Sequence, residues 1–494
     1  MKKLILIAGI LLASATVVFS QEPLDDKDIA DAIENEYLFD HAIDVNQVDV
    51  QVVDGIAELT GTVDNIKAKE RAGNIASLVK GVRTVSNRID VEPSVVLSDE
   101  GIQEKIEYAL LMDPATESYE VNVKVNNNVV TLEGTVDSYQ EKKLCSDVAK
   151  SVKGVTALKN EIAIDYEEER PDFEIKQDIE EAMKWDAMID DGLINVDVKN
   201  GKVGLSGTVG SSMEKNNAYF TAWVAGVESV DDSGLEVEWW AEDEELRKNK
   251  YVPKSDEEIK TAILDAALYD PRLLMFEITP EVENGWVTLR GTVDNLKSKT
   301  AAEKLAENTT GVTGVTNRVK VKADAKPTDN EIEANISSGL WNNAITEAWE
   351  IDVTVYNGIA TLTGVVDSYL EKMEAEWIAS GVEGITEVNN NITVSYPYSY
   401  YWWGHYPYYD LYMTPPDPAN TPTAYYLEDS EIKGNISSEI WWSPFVDKDQ
   451  VTVEVNNGHV TLTGTVDSWR EFEKAAENAW EGGAWSVTNN LIVK

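Results

Sequence analysis

One short segment occurs six times, and it constrains the fold more than any other feature. Leu59-Thr60-Gly61-Thr62-Val63-Asp64 returns as Leu132-Glu133-Gly134-Thr135-Val136-Asp137, and again around Gly207, Gly291, Gly364 and Gly464. Successive glycines lie 73, 73, 84, 73 and 100 residues apart. Repetition at a near-fixed period means one supersecondary unit copied along the chain, with linkers in the two longer gaps. The units cover residues 25–92, 98–166, 172–240, 255–323, 328–396 and 429–494. A charged linker fills 241–254, and an aromatic, proline-rich linker fills 397–428.

Each unit reads the same way. It opens with a helix whose apolar residues recur at helical spacing, such as Ile29, Ile33 and Tyr37. An acidic residue at the start (Asp256, Asp329, Asp429) suits the positive end of the helix dipole. A strand with strict alternation follows, as in Val451, Val453 and Val455. Asn200-Gly201, Asn284-Gly285, Asn357-Gly358, Asn457-Gly458 and Asp54-Gly55 then fit two-residue hairpin turns that need positive φ at both positions. The second strand carries Leu-x-Gly-Thr-Val, whose glycine is expected to mark a bulge or a close approach of helix to strand. Ser138 with Glu141, Ser368 with Glu371 and Ser468 with Glu471 match capping boxes at the start of a second helix. A last strand closes the unit. The expected fold class is α+β: six tandem αββαβ modules, each a three-stranded mixed sheet with two helices on one face. The expected strand order is 2-1-3.

The run Asn-Gly, Val-Thr-Leu-x-Gly-Thr-Val-Asp-Ser, helix, Gly-Val-x-x-Val-x-Asn-x-Ile-x-Val resembles the BON family. In its tandem arrangement the chain is similar to the osmotically inducible periplasmic proteins of bacteria. The third unit departs most: Gly210 stands where the others have aspartate, and Val230-Asp231-Asp232-Ser233 replaces Val-x-Asn. The resemblance implies a binding module associated with envelope phospholipid, stress protection or the chaperoning of exported proteins. It implies no catalytic residues and no cofactor.

The residues themselves point the same way. Lys2 and Lys3 precede an uncharged apolar run, Leu4 to Phe19, with small residues Val18 and Ser20 before Gln21. This reads as a cleaved leader over residues 1–20 and places the mature chain in the periplasm. No later stretch reads as a membrane span. The net charge is −47, which excludes a nucleic-acid binder and disfavours anionic lipid unless divalent cations bridge. The single cysteine, Cys145, falls on a buried helix position and reads as a core thiol. His41, His405 and His459 lie too far apart for a zinc site or a triad, so no metal site and no catalytic residue is expected. The recurring Asp64, Asp137, Asp294, Asp367 and Asp467 read as helix caps. The candidate binding residues are Tyr400, Tyr401, Trp402, Trp403, Tyr406, Tyr408 and Tyr409 of the aromatic linker. Their amphipathic rings suit phospholipid headgroups, glycan or an unfolded exported protein.

Overall fold

The structure, a computed structural model, describes residues 24–40, 43, 47–95, 97–113, 116, 121–166, 170–242, 250, 252–323, 327–366, 368–394 and 428–494. Six modules run helix, strand, strand, helix, strand. The opening helices are Asp26–Phe39, Asp99–Met112, Asp172–Trp185, Asp256–Ala267, Asp329–Asn342 and Asp429–Trp442. The crossover helices are Ile66–Leu78, Tyr139–Lys150, Ser212–Thr221, Leu296–Glu307, Tyr369–Ser380 and Trp469–Glu481. Each module has its own core: in module 1, Ile29, Ile33 and Tyr37 of the opening helix meet Leu59 of the second strand and Ala68 and Ala72 of the crossover helix. Burying each such large aliphatic side chain contributes about 1.5–3 kcal/mol.

The strand order differs from the expected 2-1-3. In module 2, Val121–Asn126 pairs antiparallel with Val129–Val136, and Ala157–Ile164 pairs parallel on the other side of Val129–Val136. The second strand is central in every module. The crossover helix packs on the strand the chain has just left, and a right-handed return lands on that strand's open edge. Pairing with the first strand would need a connection reaching across the whole hairpin. In modules 1 and 4 the third strand is broken in two, as Thr84–Asn87 with Asp90–Val91 and Gly314–Asn317 with Lys320–Val321. In module 3 the altered Asp231-Asp232-Ser233 run produces a shift in strand register between Asp231 and Gly234.

Local chemistry explains the repeated residues. The turns have positive φ at both central positions, including Asn127-Asn128 in module 2. The aspartate opening each module does more than face a helix dipole. Asp26, Asp99, Asp172, Asp256, Asp329 and Asp429 each accept both backbone N–H groups of their own module's turn, at 2.8–3.1 Å. This clamp ties the helix start to the hairpin tip. The glycine of Leu-x-Gly-Thr-Val has φ of +117° at Gly61 and +139° at Gly464. A Cβ there would lie 1.9 Å from the Gln47 or Gln450 carbonyl oxygen. The close approach is therefore between hairpin strands, not between helix and strand. Asn87, Asn160, Asn317, Asn390 and Asn489 donate from the third strand to a crossover-helix carbonyl at 2.6–2.9 Å.

Two recurrent contacts join the modules. The first is a knob at the first residue of a crossover helix. Ile66 of module 1 enters the core of module 2, Tyr139 of module 2 packs on module 3, and Leu296 of module 4 packs on module 5. Tyr369 of module 5 stacks on Trp480 of module 6, as Tyr139 stacks on Trp223 of module 3. Crossover helices of modules 1 and 3 also touch, and Lys304 of module 4 pairs with Glu473 of module 6 at 2.5 Å. Modules 1–3 and 4–6 thus form two triangular halves. The second contact joins the halves. The end of one crossover helix meets the end of an opening helix: Lys80 N–H donates to Trp442 C=O (3.0 Å), Lys153 to Asn342 (2.9 Å), and Thr310 to Trp185 (2.8 Å). The modules pair as 1 with 6, 2 with 5, and 3 with 4.

Candidate functional site

Five modules surround a cavity of about 1460 Å³. Its lining includes Lys67 of module 1, Lys105, Lys142, Lys143 and Lys150 of module 2, Lys215 of module 3, and Arg272 and Lys297 of module 4. The acids among the same lining residues are Glu70, Asp113, Asp147, Asp232 and Glu374. Bases outnumber acids here, whereas the whole chain carries 89 acids and 42 bases. Tyr108, Met112, Met213, Phe220, Trp377 and Ile378 supply an apolar wall.

The bases are held in place from different modules. Lys150 pairs with Glu70 at 2.5 Å, joining modules 2 and 1. Lys297 pairs with Asp113 at 2.9 Å and lies over the Trp377 ring at 4.7 Å, joining modules 4, 2 and 5. Both members of the Lys297–Asp113 pair are buried. Three lysines meet uncharged acceptors: Lys105 donates to Asn342 Oδ1, Lys142 to the Ile162 carbonyl at 2.5 Å, and Lys215 to the Leu235 carbonyl at 3.0 Å. Burial pushes Lys142 below the usual lysine range. The arrangement can receive an anionic group while an apolar portion rests on the aromatic wall. A lysine recurs at one place in five crossover helices (Lys69, Lys142, Lys215, Lys299, Lys372), and two of them, Lys142 and Lys215, reach this lining. It reads as surface decoration until the modules are packed together.

A second cluster lies between modules 1 and 6. One carboxylate oxygen from each of Glu36, Glu439 and Glu481 falls within 4.8 Å of the others. Arg71 and Lys474 stand beside them.

Tyr400, Tyr401, Trp402, Trp403, Tyr406, Tyr408 and Tyr409 lie outside the described residues, as does the leader. Among the described residues the repeated aspartates do not gather in one place. Asp64, Asp137, Asp294 and Asp467 each bond within their own module. The side chain that caps is the residue after them (Asn65, Ser138, Asn295, Ser468). Glu141 and Glu471 reach back to the N–H of Asp137 and Asp467, one residue earlier than a standard capping box. Cys145 is buried, and burial pushes its thiol up to about 12, so it stays protonated. His459 contacts Ser486 Oγ.

Comparison with known proteins accounts for the modules. The BON domain family matches residues 25–93, 98–166, 171–238, 255–323, 328–396 and 428–494. Osmotically-inducible protein Y of Escherichia coli is 30% identical over 191 residues, 37% of this chain and 87% of that protein. An uncharacterized protein in the gshII 5′ region of Anaplasma centrale is 29% identical over 126 residues, 24% of this chain and 83% of that protein. Among solved structures, CdsD, a structural protein of the type III secretion system of Chlamydia trachomatis, matches at 16% identity with a TM-score of 0.13, covering 46% of this chain and 94% of that one. With all six repeats matched, the chain belongs to the BON-domain family.

Proposed function

We propose that this chain is an exported, non-enzymatic, stress-protective protein of the bacterial envelope that binds envelope phospholipid or other phosphate-bearing envelope material in the cavity between its modules. The observation that carries this reading is the excess of basic side chains around an amphipathic cavity in an otherwise acidic chain. Screening limits the influence of distant acids to roughly 8 Å, so the lining governs what enters. The apolar leader supports export, and the name of the Escherichia coli relative supports a role in osmotic stress.

Co-sedimentation with phosphatidylglycerol and with phosphatidylcholine vesicles tests the reading. Binding that prefers phosphatidylglycerol, weakens with salt and falls in Lys105→Gln/Lys142→Gln is expected. Equal retention by both lipids, or by neither, overturns it.

A second reading, a holdase for exported proteins, is favoured by apolar groups left on the surface, among them Met275 (87% exposed), Tyr356 (75%) and Trp349 (74%). Suppressed aggregation of an unfolded outer-membrane protein would support it.

A further inference from the structure

Modules 1 and 6 face each other with equivalent residues opposed. Glu36 and Glu439 hold the same position, ten residues after the aspartate that opens each module. In modules 2, 3, 4 and 5 that position is Ala109, Ala182, Ala266 and Gly339. Glutamate thus occurs there only in the two modules that pair with each other. Two glutamates there put like charges close together in a buried site.

The charges around them cannot all be balanced by the cations present. The opening helix of module 1 brings Glu36, with Asp40 just past its end, and the crossover helix of module 1 brings Arg71. The opening helix of module 6 brings Glu439, and its crossover helix brings Lys474, Glu477 and Glu481. Arg71 pairs with Asp40 at 2.6 Å and Glu481 at 3.5 Å. Lys474 pairs with Glu477 at 3.1 Å and Glu481 at 3.8 Å, and Arg470 of the same helix pairs with Glu477 at 3.8 Å. The three cations thus pair with the other three acids, while Glu36 and Glu439 bring carboxylate oxygens within 4.8 Å of each other. A hydrogen bond between two carboxyl groups requires a proton on one of them.

We propose that a proton shared between Glu36 and Glu439 joins modules 1 and 6, so that this pair closes in acid and opens as the medium turns alkaline, while pair 2–5 stays closed. Burial, and the carboxylates facing each glutamate, hold both groups above the usual carboxylate range. A raised value in the closed form means the clasp is fully present at low pH and is lost as pH rises through that value. A periplasmic protein meets the pH of the surrounding medium, so the clasp would report on it directly.

Each module pair carries its own reporter for a test on the full chain. The Lys80 N–H bonds to Trp442 across the 1–6 pair, and the Lys153 and Thr310 N–H groups make the equivalent bonds in the other pairs. Amide exchange, corrected for intrinsic rates, is followed from acid to alkaline pH with chelator present. Lys80 protection is expected to fall about tenfold per pH unit above the titration of the pair, with Lys153 unchanged. In Glu36→Gln/Glu439→Gln, two amides bond without a titrating proton, and the pH dependence of Lys80 should vanish. Parallel behaviour of Lys80 and Lys153 in the native protein overturns the proposal, whatever the variant does. Retention of the native slope in a folded variant also overturns it. So does recovery of Lys80 protection on adding calcium at alkaline pH, which would make the cluster a cation site.

Discussion

The pair formed by modules 1 and 6 and the pair formed by modules 2 and 5 use one backbone contact but secure it by different means. In pair 2–5, the position ten residues after the opening aspartate holds the small residues Ala109 and Gly339, both of which line the cavity. Two backbone bonds link its ends, Lys153 N–H to Asn342 and Ala344 N–H to Ser151. Lys297 of module 4 then wedges between Asp113 and Trp377. Pair 1–6 puts glutamates at that position, and Pro444 stands where module 5 has Ala344. Proline has no N–H, so the second backbone bond cannot form. The backbone fixes where modules meet, and the side chains set the condition under which they stay together.

Removing the wedge should give the largest effect. Lys297→Ala takes away a buried cation from beside a buried Asp113 and empties the space over Trp377. Breaking a buried pair costs about 3–5 kcal/mol, and Arg272 also faces Asp113, which places the loss near about 3 kcal/mol. Urea unfolding should show it, with exchange at Lys153 rising before exchange at Lys80. If Lys80 opens first, pair 1–6 does not depend on protons independently of its neighbours.

The comparison extends to the two halves. Tyr139 stacks on Trp223 with ring centres 4.1 Å apart and planes 5° from parallel, and Tyr219 and Phe220 pack alongside. The equivalent Tyr369–Trp480 stack is looser, at 6.0 Å. Tyr139→Ala should therefore cost more than Tyr369→Ala, by about 1 kcal/mol, in the midpoint of urea unfolding. Equal losses would mean the two halves are equally tight in solution.

These contacts show what the sequence could and could not reveal. Helix starts, hairpin turns and the six-fold repeat were legible because they follow local rules: Asn200-Gly201 needs nothing beyond its own φ angles. The strand order was misread because pairing of the third strand is a long-range choice that turn chemistry does not encode. The clamp by Asp26 and its equivalents was half legible. The residue was visible, but its partners lie 28 and 29 positions away. Module pairing was hidden, since its bonds are backbone N–H to carbonyl and any residue but proline supplies them. Glu36 and Glu439 stand out only once the repeats are aligned on the structure and modules 1 and 6 are seen to touch.

Pro444→Ala tests the pairing rule with a smaller, stabilising effect. It restores an N–H opposite the Leu78 carbonyl, the equivalent of the Ser151 acceptor in pair 2–5. One added backbone bond contributes about 1 kcal/mol, so Lys80 protection should rise about fivefold at acid pH. Ala344→Pro should do the reverse to Lys153. If Pro444→Ala leaves Lys80 unchanged, the missing N–H is not what weakens pair 1–6.

The smallest effect asks whether the acid dependence of module 6 ends at module 1. Module 6 also touches module 4, where Lys304 bridges Glu307 and Glu473. Burial first, and then the Glu473 charge, push Glu307 up to about 7 from its ordinary 4.5. The value in the folded chain lies above the unfolded one, so this contribution is complete below the unfolded value and is lost as pH rises through about 7. Glu307→Gln should remove that loss, because an amide cannot ionise, while Lys304 keeps its bond to Glu473. The native urea midpoint should decline from about pH 5 to about pH 9, and the variant should decline less. Glu36→Gln/Glu439→Gln supplies the matching half of the comparison: a triple variant with a flat profile would assign all of the alkaline weakening to the two carboxyl pairs that hold module 6. An unchanged decline in Glu307→Gln would leave the contact with module 1 as the site of proton sensitivity, and Lys304 as a bridge indifferent to pH.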